Sequence, residues 1–211
     1  MIIKRFTVNP FQENTYVVSV DSGETMIIDP GFYTANEENA FVNYLETNGL
    51  NPTILVNTHL HIDHVLGNAF LEKRFGLRAF AHAGDGFWLE GLEAQARMFG
   101  LPMRGPKPSI GLYIREGDKV SLGKETFEVL EVPGHSPGSI VLYNRAQGCL
   151  FAGDVLFEGS VGRTDFTAGD HGVLIKGITE KLLTLPDETV VYSGHGPSTT
   201  IGKEKTGNPY L

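Results

Sequence analysis

The chain has 211 residues, of which 41% are hydrophobic, so it can bury one sizeable core but is short for two independent domains; we predict one domain over residues 1–211. A net charge of −8 argues against nucleic acid as a partner, because affinity for phosphates depends largely on Lys and Arg. The N-terminus lacks the apolar core of a signal peptide and no apolar run approaches about 18 residues, so neither secretion nor a membrane partner is expected.

Five short stretches rich in β-branched and apolar residues predict strands, and a polar residue that can bind a metal follows each of them through a short turn. The pairs are 25–28 before Asp29, 53–56 before His59, 127–132 before His135, 149–152 before Asp154 and 189–192 before His195. If these strands share sheets, their ends converge on one edge, where loops usually carry function. The polar residues are then expected to meet in space.

Helical spacing of apolar residues predicts three helices between the strands, at 34–48, 85–99 and 171–185. The first has a capping box in Thr34-x-x-Glu37 and ends at a glycine. Strands and helices therefore alternate along the chain.

The segment 85–108 allows two interpretations. Trp88, Leu92 and Phe99 have the spacing of a core helix, which we favour, and the alternative is a lid over a nearby site. The Pro-rich stretch 102–108 predicts an extended loop.

The single cysteine, Cys149, lies in an apolar stretch. This position predicts a buried, reduced thiol rather than a reactive nucleophile, because no histidine neighbours it in the sequence. A lone reduced thiol suits a cytoplasmic location.

The densest chemical signal is segment 58–64, where His59, His61, Asp63 and His64 fall within six residues directly after a predicted strand. Imidazole and carboxylate groups are ligands for zinc and similar divalent ions. The alternative is a histidine-rich surface turn. Further metal-competent residues after three more predicted strands argue against that alternative.

These motifs resemble those of the metallo-β-lactamase superfamily: His-x-His-x-Asp-His at 59–64, Gly-His-Ser-Pro-Gly-Ser at 134–139, Gly-Asp at 153–154 and Gly-His-Gly-Pro at 194–197. Segments 9–16 and 159–166 are similar to those of its glyoxalase II-like hydrolases. The resemblance implies an α+β fold, a four-layer αββα sandwich of two mixed β-sheets flanked by helices, with a metal site at one edge.

The resemblance also implies the role of each candidate ligand. His59, His61 and His135 hold a first metal ion, Asp63, His64 and His195 hold a second, and Asp154 bridges the two. The carboxylates Asp63 and Asp154 are the candidate catalytic residues. The implied cofactors are two divalent ions, zinc in the first place, with iron or manganese as alternatives.

Asp29 resembles a carboxylate that orients ligand histidines in this superfamily, and the equally weighted alternative is an Asx turn with the following Pro-Gly. Arg163 is a candidate for binding an anionic substrate or for an ion pair with Asp165. Lys203 and Lys205 are expected to be solvated.

Two histidines lie outside the motifs. We predict that His82 ends a strand or supports a ligand, and that His171 is on the surface.

A centre with two metal ions generates a hydroxide nucleophile, so no serine or cysteine nucleophile is required. The ligand motifs hold no spare acid to protonate a departing amine, whereas a thiolate leaves near neutral pH without one. These features, with the resemblance, favour hydrolysis of a small-molecule thioester such as S-lactoylglutathione or a related 2-hydroxyacyl thioester.

Several alternatives keep the same motifs. A persulfide dioxygenase of the superfamily uses a single iron and has a segment similar to 162–166, and a lactonase or another small-ester hydrolase is a third candidate. A β-lactamase is disfavoured because Asp154 stands where such enzymes usually have cysteine, and a flavo-diiron reductase because it has glutamate where His61 stands. A non-catalytic metal-binding module is disfavoured by the open His/Asp site. The sequence leaves the oligomeric state open.

Overall fold

A computed structural model describes residues 1–103 and 105–211, in two large β-sheets with helices around them. The strands are β1 (Ile2–Val8), β2 (Glu13–Ser19), β3 (Glu24–Ile28), β4 (Asn51–Val56), β5 (Ala79–Ala81), β6 (Ile110–Tyr113), β7 (Lys119–Leu122), β8 (Glu125–Glu131), β9 (Ile140–Asn144), β10 (Cys149–Gly153), β11 (Leu156–Phe157), β12 (Ser160–Val161), β13 (Val190–Ser193) and β14 (Thr199–Thr200). The helices are α1 (Ala35–Thr47), α2 (Ile62–Val65), α3 (Asn68–Phe75), α4 (Gly86–Glu90), α5 (Leu92–Met98), α6 (His171–Gly177) and α7 (Ile201–Gly207).

Both large sheets are mixed. The first has the order β1-β2-β3-β4-β5-β6, antiparallel from β1 to β3 and parallel from β3 to β6. The second has the order β14-β13-β10-β9-β8-β7, in which only the β10–β13 pair is parallel. The strands β11 and β12 form a separate hairpin.

The main core lies between the two sheets, where the inward-facing side chains of both are buried. Its largest members include Tyr16, Met26, Phe127 and Phe151. Burial of such side chains contributes roughly 1.5–3 kcal/mol each and is the main force that holds one sheet on the other.

Helices cover the outer face of each sheet. Phe41 and Leu45 of α1 pack on the first sheet, and Leu174 of α6 packs on the second, together with Ile178 and Leu182 of a π-helical segment that continues α6. The predicted four-layer αββα sandwich is therefore confirmed. None of the helices in the described parts of the chain combines the length and apolar character needed to cross a bilayer.

The first predicted helix forms as expected. Thr34 caps α1, its side chain accepts from the Glu37 N–H, and the Glu37 carboxylate accepts from the Thr34 N–H, so both halves of the capping box are present. The predicted 85–99 helix is wrong as one element, because it breaks at Gly91 into α4 and α5. The predicted loop 102–108 includes residue 104, which lies outside the described residues.

The predicted strand ends do converge on one edge of the sandwich. The two sheets are tied there by backbone hydrogen bonds, from Ile140 N–H to the Thr58 carbonyl (2.8 Å) and from Asn14 N–H to the Gly194 carbonyl (2.7 Å). These bonds fix the loops after β4 and β13 against the opposite sheet, so the metal-competent residues on them face each other.

Candidate metal centre

Three imidazole rings meet at the edge between the sheets. The Nε2 atom of His135 lies 2.9 Å from Nδ1 of His61 and 3.3 Å from Nε2 of His59. All three side chains are buried. Three nitrogen atoms thus converge on one point, the arrangement expected of ligands for one cation.

The protonation of these rings suits metal binding. Burial and the neighbouring imidazoles lower the pKa of His59 well below its usual value and that of His61 to about 3. Both rings are therefore neutral at physiological pH and offer lone pairs, as metal ligation requires. Neutral, buried nitrogens this close together fit a bound cation better than a network of ordinary hydrogen bonds.

A second group of three lies beside the first. The Asp63 carboxylate is 3.2 Å from Nε2 of His195 and 3.7 Å from Nε2 of His64, and the three residues can supply ligand atoms to one ion. Burial alone would lower the pKa of His64, but Asp154 and Asp63 outweigh it and raise this pKa well above the usual value. The two carboxylates thus attract positive charge at this position, and a cation would supply it.

Asp154 lies between the two groups. Its carboxylate is 3.6 Å from Nε2 of His135 in the first group, and 3.5 Å and 3.4 Å from Nε2 of His195 and His64 in the second. Its Oδ1 atom is buried without a hydrogen-bond partner, as is Nε2 of His64. Orphaned buried polar atoms that face one another fit a metal between them. The seven predicted ligands are thus brought together, and their roles stay a prediction.

Two of the candidate ligands are oriented by backbone carbonyls on the far side of the ring. Nδ1 of His135 is 2.7 Å from the Arg163 carbonyl, and Nδ1 of His195 is 3.1 Å from the Phe11 carbonyl. Such contacts fix the tautomer and direct Nε2 toward the centre.

Asp29 lies beside the ring of a candidate ligand, at the position expected of an orienting carboxylate. It accepts hydrogen bonds from the Thr58 N–H (2.7 Å) and hydroxyl (2.6 Å), and its Oδ2 lies 3.2 Å from Nδ1 of His64. The backbone N–H of Gly31 donates to Thr15 rather than to Asp29, which argues against the Asx turn. Asp29, His59 and His64 also lie close enough to share an ion, although both Asp29 oxygens already accept hydrogen bonds from Thr58. The role of Asp29 in orienting His64 stays a prediction.

Two glycines explain why the loops approach so closely. Gly153 precedes Asp154 with a φ of 50°, and a Cβ there would overlap the Thr58 side chain. Gly134 precedes His135 with a φ of 130°, and a Cβ would overlap α6. At both positions the backbone is left-handed and there is no room for a Cβ atom, so only glycine fits.

The residues predicted to lie outside the centre do so. His82 directly follows β5, and its Nε2 atom is 3.1 Å from the Glu131 carboxylate. His171 is exposed at the start of α6. Lys203 and Lys205 pair with Glu158 and Asp187. These lysines are exposed as expected.

Arg163 forms the alternative ion pair that the sequence allowed. Its Nε and Nη2 atoms each donate to Asp165 over 2.6 Å, and its guanidinium lies 4.2 Å from the centre of the Phe166 ring. It also lines the cavity beside the centre. Its predicted contact with an anionic substrate stays a prediction.

The preferred interpretation of Trp88, Leu92 and Phe99 as the face of a core helix is wrong for part of that face. Leu89 and Leu92 are buried, but Trp88, Met98 and Phe99 line the cavity beside the centre. The segment both packs on the core and forms one wall of the site.

Asp85 is a buried carboxylate that the sequence analysis missed. It accepts hydrogen bonds from the Leu60 N–H (3.0 Å), the Ser136 hydroxyl (2.7 Å) and the Gly138 N–H (2.6 Å). Leu60 lies between two candidate ligands and Ser136 follows His135, so Asp85 joins the two loops of the first group. Burial raises its pKa despite these three bonds.

Replacement of Asp85 by alanine is expected to lower the free energy of unfolding by roughly 3 kcal/mol, because three buried donors lose their acceptor. Metal content should also fall, since the two loops lose the hydrogen bonds that run through Asp85. Urea unfolding and elemental analysis measure both effects, and Asp21→Ala, at an exposed position, is the control. An Asp85→Ala protein as stable as the control would contradict the role given to these bonds.

The sequence matches the metallo-β-lactamase superfamily over residues 8–195. The chain therefore belongs to this superfamily. It is 39% identical to hydroxyacylglutathione hydrolase GloC of Haemophilus influenzae, over 100% of this chain and 98% of that protein. It is 31% identical to the mitochondrial persulfide dioxygenase ETHE1 of Mus musculus, over 90% of this chain and 68% of that protein. Family membership and the similarity to GloC support a metal-dependent hydrolase.

Solved structures agree with the fold. The BLEG-1 B3 metallo-β-lactamase superposes with a TM-score of 0.90 at 37% identity, over 100% of this chain and 99% of that chain. TTHA1623 in a di-iron-bound form superposes with a TM-score of 0.87 at 39% identity, over 99% of this chain and 100% of that chain. A close structural neighbour thus holds two iron ions, so the fold is compatible with metals other than zinc.

Proposed function

We propose that this protein hydrolyses a thioester with water as the nucleophile, at a centre for two divalent metal ions. The observation that carries the proposal is the position of Asp154, whose carboxylate lies within 3.6 Å of a ring nitrogen in each of the two groups. A carboxylate between two such groups is placed to bind both ions of a two-metal centre.

The donor atoms are nitrogen and oxygen only, which suits zinc first, with iron or manganese as alternatives. When bound, two such ions lower the pKa of water toward ~7 and polarise a carbonyl oxygen. His59, His61 and His135 are proposed for the first ion and Asp63, His64 and His195 for the second, because the ligand atoms of each group lie within 4.8 Å of one another.

A side-chain nucleophile fits the structure less well than water. Cys149 is buried in β10, and burial with the nearby Glu125 raises the pKa of its thiol to about 11, so it is protonated and unreactive at neutral pH. The role left to the protein is to hold the substrate carbonyl beside Asp63 and Asp154.

The ionisation state of the acids at the site indicates which leaving group the site can accommodate. Asp63 and Asp154 have a lowered pKa, because His64 and the other imidazoles outweigh the effect of burial. They are therefore ionised and cannot protonate a departing amine. A thiolate needs little protonation near neutral pH, so a thioester is the acyl substrate that suits this site.

The candidate substrates are S-lactoylglutathione and related 2-hydroxyacyl thioesters. The similarity to GloC, a hydroxyacylglutathione hydrolase, supports this choice. A persulfide dioxygenase with a single iron is the second candidate, and the similarity to ETHE1 favours it at lower identity.

Two assays on the purified protein, with its metal content measured, test the proposal. Release of thiol from S-lactoylglutathione is expected, together with two metal ions per chain. Glutathione persulfide under an oxygen electrode is expected to give no oxygen uptake. Rapid uptake with one iron per chain and no thioester cleavage would favour the dioxygenase.

A further inference from the structure

A cavity of about 640 Å³ opens directly onto the candidate metal centre. Five of the candidate ligands form part of its wall, and they are His61, Asp63, His135, Asp154 and His195. The volume is in the range of cavities that hold a small organic ligand. The rest of the wall therefore determines which substrate fits.

Aromatic side chains flank the centre on both sides. Trp88 and Phe166 pack against His61 in the first group, with ring centres 4.6 Å and 5.1 Å away. On the other side Phe157 lies 6.3 Å from His195 in the second group. Apolar surface is thus available to each end of a substrate whose carbonyl lies at the metal centre.

Two further rings extend the apolar wall. Phe11 and Phe99 pack edge to face, with ring centres 5.2 Å apart, and both line the cavity. Phe99 is 40% exposed in the structure, so a ligand in the cavity can bury it further.

Away from the metal centre, the described wall of this cavity offers little to an anionic ligand. Among its described lining residues, Arg163 is the one lysine or arginine, and Asp165 accepts two hydrogen bonds from it. The charge of this pair sums to zero. Glu158 adds a negative charge to the wall and is paired with Lys203 outside it. Away from the metal centre, a carboxylate on the substrate would therefore lose water without gaining net positive charge from the described wall.

We propose that the thioester cleaved at this site has a neutral, apolar group on its thiol side, an inference that rests on the proposed thioester hydrolysis. A 2-hydroxyacyl group is itself uncharged, so the charge of such a substrate resides in its thiol. Glutathione carries two carboxylates and an ammonium group, which the aromatic wall does not match. A neutral thiol with an aromatic or alkyl body buries its apolar surface against Phe99 and Trp88 instead.

Three lactoyl thioesters that differ only in the thiol test this selectivity. The thiols are glutathione, which is charged, N-acetylcysteamine, which is neutral and polar, and benzyl mercaptan, which is neutral and apolar. We expect kcat/KM to be about tenfold higher for the benzyl than for the glutathione thioester, with N-acetylcysteamine between them. Equal or faster cleavage of the glutathione thioester would overturn the inference and leave the proposed hydrolysis intact. If none of the three is cleaved, the proposed function fails and the inference fails with it.

Binding can be measured without turnover, because Trp88 is the single tryptophan of the chain and its fluorescence reports on this cavity. The probes are two hexyl thioethers, S-hexylglutathione and the neutral S-hexyl-N-acetylcysteamine. We expect the neutral probe to bind about tenfold more tightly. Tighter binding of the charged probe would contradict the inference.

Phe99→Ala should weaken binding of the neutral probe about fivefold and raise KM for the benzyl thioester by a similar factor. Tyr210→Ala is the matched control, since it removes an exposed aromatic ring that does not line the cavity. If both variants behave alike, the aromatic wall does not select the substrate.

Discussion

Replacement of Asp154 by alanine is expected to abolish metal binding and turnover together. The Asp154 carboxylate lies between His135 of the first group and His64 and His195 of the second, so its loss affects both positions. Loss of a group that only supports a ligand typically weakens metal affinity about 10–100-fold. Loss of a bridging ligand should weaken metal affinity by at least the upper end of that range.

Elemental analysis of the purified variant and a thiol-release assay measure the two effects side by side. His82→Asn and His171→Asn are the controls, because both histidines lie outside the centre and should keep the full metal content. An Asp154→Ala protein that retains both metal ions and normal turnover would show that Asp154 is not a bridge. Loss of metal from either control would show that the ligand set is incomplete.

Much of this centre was predictable, because the spacing of the candidate ligands in the sequence and their positions after strands both bring them together. Segment 58–64 places four metal-competent side chains after one strand, and their order along the chain fixes their proximity. His135, Asp154 and His195 follow other strands, and parallel or neighbouring strand ends bring them to the same edge. The fold followed from the same motifs, through their resemblance to a known superfamily.

The features that the sequence did not predict depend on contacts between distant parts of the chain. Asp85 accepts hydrogen bonds from residues 51 and 53 positions away, and no local pattern marks such a partner. Helical spacing assigned Phe99 to the core, but the break at Gly91 starts a new helix, α5, and Phe99 follows its end in the cavity wall. Periodicity identifies an apolar face without indicating whether protein or a ligand covers it.

Substitution of His64 by alanine should separate a two-metal hydrolase from an enzyme with one iron. His64 is fully buried, and its Nε2 lies 3.4 Å from Asp154 and 3.7 Å from Asp63. If this ring completes a second metal position, its loss should reduce the metal content from two ions to one. Thioester hydrolysis should then fall about 100-fold or more, as when an enzyme loses one group that stabilises developing charge.

The matched variant is His135→Ala, which removes a ring from the first group. A two-metal hydrolase should lose thioester hydrolysis in both variants. An enzyme with one iron in the first position should lose activity in His135→Ala but retain its metal and its oxygen uptake in His64→Ala. Because His64 is buried among carboxylates, thermal unfolding of both variants must be compared with the parent protein to exclude a loss of fold.

The decisive comparison combines metal analysis, thiol release from a lactoyl thioester and oxygen uptake with glutathione persulfide, for the parent protein and both folded variants. We expect two metal ions in the parent, one in His64→Ala, and hydrolysis in the parent alone. This outcome is expected because Asp63, His64 and His195 can supply ligand atoms to one ion, and the Asp154 carboxylate lies beside both groups. The opposite result would be one iron ion in both the parent and His64→Ala, with undiminished oxygen uptake. It would show that the second group binds no metal and that the protein is a dioxygenase.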